Sequence, residues 1–519
     1  MAATTTTPDA ATVDWLRANG VPALFDSLTA RLVAEKPADV VQFLLGELQG
    51  LSGLSAEAQL CASKMRSAGA HELHIRAFLR NHQAVAAGSA GTIAEGDIVP
   101  VSDLPELATM SVKARPELVK ETVVLKLNGG LGTGMGLSKA KSLLPVKDGK
   151  TFLDYIAQQV LSFRETTGSD LRFMLMDSFS TSDDTKAYLS KYPAFAGDKF
   201  ASEVEVMQGK TPKISQASLK PAEYEAAPEN EWCPPGHGEL YCSLQSSGQL
   251  DALLAKGFKY MFVSNSDNLG ATLDLSLLTY LADEGHEFLM EVCQRTESDK
   301  KGGHLARDAK SGALMLRESA QCAKADEPEF QNVGKHKFFN TNNLWINLPA
   351  LRKAMDKHDG VLPLPTIRNS KTVDPTNAAS EKVFQLETAM GTAIASFDRA
   401  AAVVVPRSRF APVKTCTDLL NLCSDCYEET PDKRLVLIAE RNGVPPVVSL
   451  EDKHYKFVDQ FSKLVADGVP SMKKCTRLNI TGPVTFAKDV VLEGEVRIVN
   501  DSATSKVVAA GTYTGEVKL

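Results

Sequence analysis

A loop of glycines, lysines on either side of the chain's middle and one aspartate after an apolar run are the residues here whose types and spacing suit work on phosphates. Val123 to Val146 reads VVLKLNGGLGTGMGLSKAKSLLPV. Val123, Val124, Leu125 and Leu127 form a short β-rich apolar run, and five glycines then fall within the eight positions Gly129 to Gly136. Lys139 and Lys141 follow. Glycine after a buried strand lets successive backbone N–H groups point into one concavity that holds phosphate oxygens. A lysine just beyond adds a full positive charge. The pattern predicts a nucleotide phosphate cradle in an α/β fold. Two common labels for such a loop fail. GxxxxGK[ST] is absent, and in the GxGxxG frame the sixth position is Met135 or Leu137. Asp267 follows the apolar run Tyr260 to Val263, where a carboxylate suits Mg²⁺, an ion that prefers oxygen ligands shared with substrate phosphates. The plainer reading of Asp267 is a turn or N-cap aspartate. Lys414 alone reads as an ordinary loop lysine.

The segment KLNGGLGTGMG, with Lys141 before Ser-Leu-Leu, resembles the eukaryotic-type UTP–glucose-1-phosphate uridylyltransferases. Further segments resemble that family in the same order: MQGKTPKI from Met207, PPGHGELY from Pro234, FVSNSDNLGATLD from Phe262, FFNTNNLWINL from Phe338, QLETAMGTAI from Gln385 and PRSRFAPVKTCTDLL from Pro406. The resemblance implies attack by the phosphate of glucose 1-phosphate on the α-phosphorus of UTP, with pyrophosphate leaving. Attacker and centre are both anionic, so catalysis is charge neutralisation and in-line positioning. Lys141 then matches the family lysine on the UTP phosphates, and Lys414 the lysine set between the two substrates. Asp267 becomes the Mg²⁺ ligand, near the sugar phosphate. Leu127, Asn128, Gly129, Gly130, Gln208, Gly236 and Asn265 correspond to UTP-binding positions. His237, Asn265, Asn340, Thr341, Asn342 and Glu387 correspond to positions around the sugar phosphate, where amides and a carboxylate recognise hydroxyls. Two rival readings stand beside this one. One is the same chemistry on other sugar phosphates. The other is a catalytically weak UTP-binding scaffold, against which Lys141, Lys414 and Asp267 together argue.

These residues need an α/β frame to hold them. From Val123 to about Arg409 the chain alternates short apolar runs with helical patterns: VVLKL, FLDYIAQQVLSF, LRFMLMD, VEVMQ, YMFVSNSD, LSLLTYLADE, EFLMEVC. That rhythm predicts a mostly parallel sheet, whose ligands bind at the carboxyl ends of its strands. The resemblance makes it a glycosyltransferase-A-like mixed sheet. The expected organisation is a disordered tail over 1–11, a helix pair over 12–51 and a helical segment over 52–120. A catalytic domain over 121–410 and a C-terminal domain over 411–519 ending in a β-helix-like region complete it. Leu24, Phe25, Leu28 and Leu32 recur at helical spacing, as do Val40, Val41, Phe43, Leu44, Leu45 and Leu48. This pair resembles the dimerisation-docking helices of cAMP-dependent kinase regulatory subunits. It implies a homodimer that presents a groove to an amphipathic anchoring helix, in a cilium or flagellum. The alternative is a hairpin packed on its own catalytic domain.

Composition excludes several classes. The chain has 519 residues, 43% of them hydrophobic and 23% charged, which is ordinary for a globular protein. A net charge of −7 gives no reason to expect nucleic-acid binding. No apolar run approaches the roughly 18 residues of a membrane span. The start MAATTTTPDAAT lacks the basic and apolar regions of a secretory signal. The nine cysteines fit reduced thiols, so the expected compartment is the cytoplasm. Cys423 and Cys426 form one CxxC without a second pair at zinc spacing, which favours a structural role. The ending Val517-Lys518-Leu519 matches a peroxisomal address only loosely.

Overall fold

The computed structural model describes residues 9–18, 21–36, 40–41, 44, 54–88 and 91–519. By contacts the chain divides into two compact units, each assembled from separated stretches. One comprises 94–208, 247–357 and 393–519, the other 1–93, 209–246 and 358–392.

The larger unit is built on a ten-stranded sheet. In chain order its strands are β1 (Ile98–Pro100), β2 (Thr122–Leu127), β3 (Arg172–Asp177), β4 (Glu205–Met207), β5 (Tyr260–Asn265), β6 (Phe288–Gln294), β7 (His304–Asp308), β8 (Leu314–Arg317), β9 (Phe338–Asn347) and β10 (Ala400–Val404). The main path runs β1-β7-β9-β5-β2-β3-β4, with β6 pairing β9 and β10, and β8 pairing β7. β5, β2, β3 and β4 are mutually parallel, as are β6 and β10. β9 runs antiparallel to both β5 and β6, which makes the sheet mixed around a parallel centre. The strands read as continuous apolar runs because both faces are covered; β3 is buried at every position.

Helices supply that cover. Phe152–Thr167 starts on a capping box in which Thr151 and Asp154 satisfy each other's backbone N–H groups, and stops at Gly168 in the left-handed region. Phe152, Leu153, Ile156, Ala157 and Val160 form its buried stripe. Phe262 and Trp345 pack across β5 and β9 with ring centroids 4.5 Å apart. Register decides where the site lies. Leu127 pairs with Asn265 and with Met176, and Asp177 pairs with Met207. The carboxyl ends of four adjacent parallel strands therefore finish level.

The same unit ends in the β-helix-like coil. Val447–Leu450, Ser471–Thr481, Val490–Val499 and Gly511–Lys518 stack in parallel in that order, and Val484–Phe486 pairs Lys506–Val508 in parallel. Met472, Cys475, Leu478, Ile480, Leu492, Val496 and Ile498 fill its interior. Cys426 is buried here too, its Sγ donating to the Met472 carbonyl at 3.0 Å.

In the smaller unit, helices Ala56–Ser67 and Glu72–Ala86 bury Ala58, Cys61, Met65, Ile75, Phe78 and Leu79 together with Ile214 and Leu386. Ile367–Thr372 and Lys382–Glu387 form an antiparallel ladder, and Ile214–Ser215 adds a third strand. Near the N-terminus, Ala10–Ala18 and Val21–Glu35 are helical. Of the second apolar pattern, Val40, Val41 and Leu44 fall within the described residues and Phe43, Leu45 and Leu48 lie outside them. No described helix is long and apolar enough to cross a membrane.

Candidate active site

In the larger unit the glycine loop leaves β2 at Asn128. The Asn128 N–H donates to the Met176 carbonyl at 2.8 Å, and its side-chain amide donates to Asp177 at 2.6 Å and Thr185 at 2.9 Å. A Cβ on Gly129 would lie 2.8 Å from Oε1 of Gln208. The Gln208 amide thus faces the loop backbone. Gly132 turns in the left-handed region at φ 69°, and the stem of Lys141 passes over it. The Lys141 N–H donates to the Gly130 carbonyl at 3.0 Å, and Nζ reaches Oδ2 of Asp267 at 2.6 Å. Oδ1 of Asp267 is buried with no partner. One carboxylate oxygen is thus held by an ammonium while the other has no hydrogen-bond partner.

Asp267 also anchors the segment that carries Lys414. Its carbonyl accepts the Val413 N–H at 3.1 Å. The neighbouring Asn268 accepts from Ala411 N–H at 3.0 Å and donates to the Arg409 carbonyl at 3.0 Å. Lys414 directly precedes helix Cys416–Cys423, whose capping box uses Thr415 and Asp418. Lys414 is exposed, and among the described residues its ammonium makes no ion pair. Its charge is felt by Glu318, whose carboxyl burial pushes up and Lys414 pulls back down. Sequence reading passed over Glu318; a carboxylate following the apolar strand β8 was the available signal.

Asn340 and Asn342 bind each other, side chain to side chain at 2.8 Å and backbone to side chain at 2.9 Å, around the left-handed turn at Asn342. Thr341 alternates to the other face, where it is buried and its hydroxyl donates to the Glu291 carbonyl at 2.7 Å. Beneath the Asn pair lies a polar network that sequence reading missed. Glu291 is fully buried and receives two bonds from Arg409, at 2.7 and 2.6 Å, one from Trp345 at 2.9 Å and one from Asn343 at 3.0 Å. It fastens β6, β9 and the Lys414 segment to one another. Beside it, Lys126 donates to Ser264 and to the Ala271 carbonyl, and burial pushes its ammonium down to about 7.

The smaller unit holds a second constellation, in which the PPGHGELY and LETAMG segments are laced together. Thr388 N–H donates to the Pro235 carbonyl at 2.9 Å, Gly238 N–H to the Thr388 carbonyl at 2.8 Å, and Met390 N–H to Nδ1 of His237 at 3.0 Å. At Gly236, with φ 83°, a Cβ would meet the Thr388 carbonyl at 2.5 Å. Gly236, His237 and Glu387 are brought together by this lacing. Burial pushes the His237 imidazole down to about 4, so it is neutral at physiological pH. With Nδ1 accepting from Met390, the proton sits on Nε2, which is a donor. Asn369 donates to Glu387 at 3.0 Å, and burial raises the Glu387 carboxyl. Glu239 accepts the Gly209 N–H at 3.0 Å and pairs with His74, whose Nε2 lies 2.7 Å from Ser246 Oγ. This bracing of Gly209 was not foreseen, since His74 sits 165 residues from Glu239.

A family model described as UTP–glucose-1-phosphate uridylyltransferase matches residues 72–493. The chain belongs to that family. Its curated relatives include the UTP–glucose-1-phosphate uridylyltransferase of Saccharomyces cerevisiae, 42% identical over 397 residues that cover 75% of this chain and 76% of the yeast one. The enzyme of Encephalitozoon cuniculi is 39% identical over 418 residues, 80% of each chain. Among solved structures, a variant of Leishmania major UDP-glucose pyrophosphorylase in complex with UDP-glucose superposes with TM-score 0.86 at 53% identity. It covers 90% of this chain and 100% of its own. A Trypanosoma brucei relative gives TM-score 0.83 at 53% identity with 90% of this chain covered. As a uridylyltransferase-family sheet, β5-β2-β3-β4 carries the glycine loop, Gln208 and Asp267 at one edge.

Proposed function

We propose that this chain transfers uridylyl from UTP to glucose 1-phosphate, forming UDP-glucose and pyrophosphate. The observation that carries this reading is the Lys141–Asp267 pair beside the glycine loop, at the level carboxyl ends of parallel strands. Lys141 binds the UTP phosphates. Lys414 neutralises charge between the two substrates; opposite unit charges about 4 Å apart attract by about 4 kcal/mol at an effective dielectric near 20. Loop N–H groups from Gly129 and Gly130 hold phosphate oxygens and bring backbone close to the base, with Leu127, Asn128, Gln208 and Asn265 completing the larger unit's UTP contacts. Mg²⁺ is the proposed cofactor. The buried, unpartnered Oδ1 of Asp267 fits an ion that takes its other ligands from phosphate and water. Bound there, Mg²⁺ would supply Lewis-acid neutralisation of phosphate charge. The Nε2–H of His237 donates to a substrate phosphate oxygen. Asn340 and Asn342 accept and donate to sugar hydroxyls, while Thr341 holds their strand in place.

Pyrophosphate release from UTP and Mg²⁺ with a panel of sugar 1-phosphates tests this. Release with glucose 1-phosphate alone is expected. Comparable release with galactose 1-phosphate or N-acetylglucosamine 1-phosphate would make the enzyme a broader UDP-sugar pyrophosphorylase. UTP binding without release would make it a scaffold.

The N-terminal helices are proposed to pair two chains and to receive an amphipathic anchoring helix, so that a cytoplasmic enzyme is held at a cilium or flagellum. Two observations support the pairing. The solved Leishmania relative is matched over its whole length by 90% of this chain, which leaves about a tenth of the chain without counterpart. Trp15, Phe25 and Val33 on the helices Ala10–Ala18 and Val21–Glu35 are each at least 60% exposed.

A further inference from the structure

Asp177, at the end of β3, stands between the two segments proposed to read UTP. Its side chain is fully buried and Asn128 nearly so. On one side Oδ1 receives the Asn128 amide at 2.6 Å; on the other the Asp177 carbonyl receives the Gln208 N–H at 2.7 Å. The next residue, Ser178, donates from Oγ to the Gly129 carbonyl at 2.9 Å. Hydroxyls of Thr181 and Thr185 also face Oδ1, at 3.3 and 3.2 Å. Two buried atoms of the Asp177–Asn128 pair are left without partners: Oδ2 of the acid and Oδ1 of the amide. In the ionised state both are acceptors, so neither can satisfy the other, and leaving both buried costs about 1–3 kcal/mol each. One proton on the acid changes this. Oδ2 then becomes a donor, and a bond from it to the amide oxygen would close a ring with the first.

We propose that Asp177 is a positioning residue for UTP that carries a proton in the working enzyme, closing an acid–amide ring with Asn128 that holds the glycine loop and Gln208 in register. The surroundings agree. Burial first, and then the negative charge of Glu205 on the adjacent β4, push the Asp177 carboxyl up to about 7. From the helix Ser182–Leu189, Asp183 and Lys186 are exposed and Asp184 is half-buried, and none bonds to Asp177. On β2, Lys126 is turned to Ser264 and Ala271. As pH rises through 7 the ring opens, and UTP binding weakens.

The inference rests on UTP being the substrate, so the test begins with the wild-type enzyme. Steady-state pyrophosphate release is followed from about pH 6 to 8.5 in wild type, Asp177→Asn and Asp177→Ala, with UTP's own ionisation common to all three. Asparagine reproduces the protonated acid, one donor and one acceptor in the same places. Asp177→Asn should keep KM for UTP within about threefold of wild type near pH 6.5 and lose the alkaline rise; Asp177→Ala should raise KM about tenfold or more, with kcat less affected. An Asn variant as impaired as the Ala variant, or one with the wild-type alkaline rise, overturns the proposal. Should Asp177→Ala fail to fold, the pH profile of Asp177→Asn decides alone. A wild type without pyrophosphate release removes the transferase reading instead, and calorimetric UTP affinities of the same proteins then test Asp177 by the same ordering.

Discussion

Single side chains carry the charge work, and their environments say how each should fail. Lys414 is exposed and unpaired among the described residues, so its removal disturbs little besides the site. Lys414→Ala should lower kcat by about a hundred- to a thousandfold, the cost of losing one charge-stabilising group, while calorimetry shows UTP affinity largely kept. Wild-type turnover would take Lys414 out of the chemistry. Asp267→Ala should abolish the Mg²⁺ dependence along with most activity; an unchanged Mg²⁺ titration would refute the ligand role. His237 makes a pH prediction with a definite sign. Burial holds its imidazole near 4, below the ordinary value of 6.5, so it stays neutral from about pH 8 down to about 5 and charges only below that. The pH profile of kcat/KM for glucose 1-phosphate should therefore show no acid limb near 6.5 assignable to His237. An inflection there that disappears in His237→Gln would contradict the neutral, Nε2-protonated state.

Elements decide whether those side chains arrive in place. Much of the frame was legible in sequence because it is local. Strand and helix periods are short, the glycine cluster interrupts one of them, and Phe152–Thr167 announces its start with Thr151 and Asp154. The contacts of Lys141 with Asp267 and of Gly129 with Gln208 join motifs that the family resemblance marks. What sequence did not disclose is the set of buried carboxylates that brace the motifs. Glu291 lies inside an apolar strand, 118 residues from Arg409, and no period relates the two. Asp177 and Glu239 are hidden in the same way, each bound to a residue from a distant stretch. The Glu291–Arg409 pair is buried on both sides, so breaking it leaves an uncompensated charge. Glu291→Gln should cost about 3–5 kcal/mol by denaturant unfolding and should loosen the Lys414 segment. A loss below about 1 kcal/mol would show that β6 and β9 hold without it.

At the scale of the whole molecule, the N-terminal helices precede the residues 72–493 that the family model matches. Removing residues 1–51 should leave pyrophosphate release unchanged and convert a dimer to a monomer by light scattering; a monomeric mass for each chain would end the dimer proposal. The smaller unit has a different consequence, concerned with when it can exist at all. Helices Ala56–Ser67 and Glu72–Ala86 bury their apolar stripes against Ile214 and Leu386. Leu386 leaves the ribosome roughly 300 residues after the second helix, about 15–60 s later at 5–20 residues per second. Until Ile214 is made, Cys61, Met65, Ile75 and Phe78 have only the two helices themselves to pack on, and their cluster stays incomplete until Leu386 follows. The nascent enzyme therefore depends on whatever shields those side chains before its last third is synthesised.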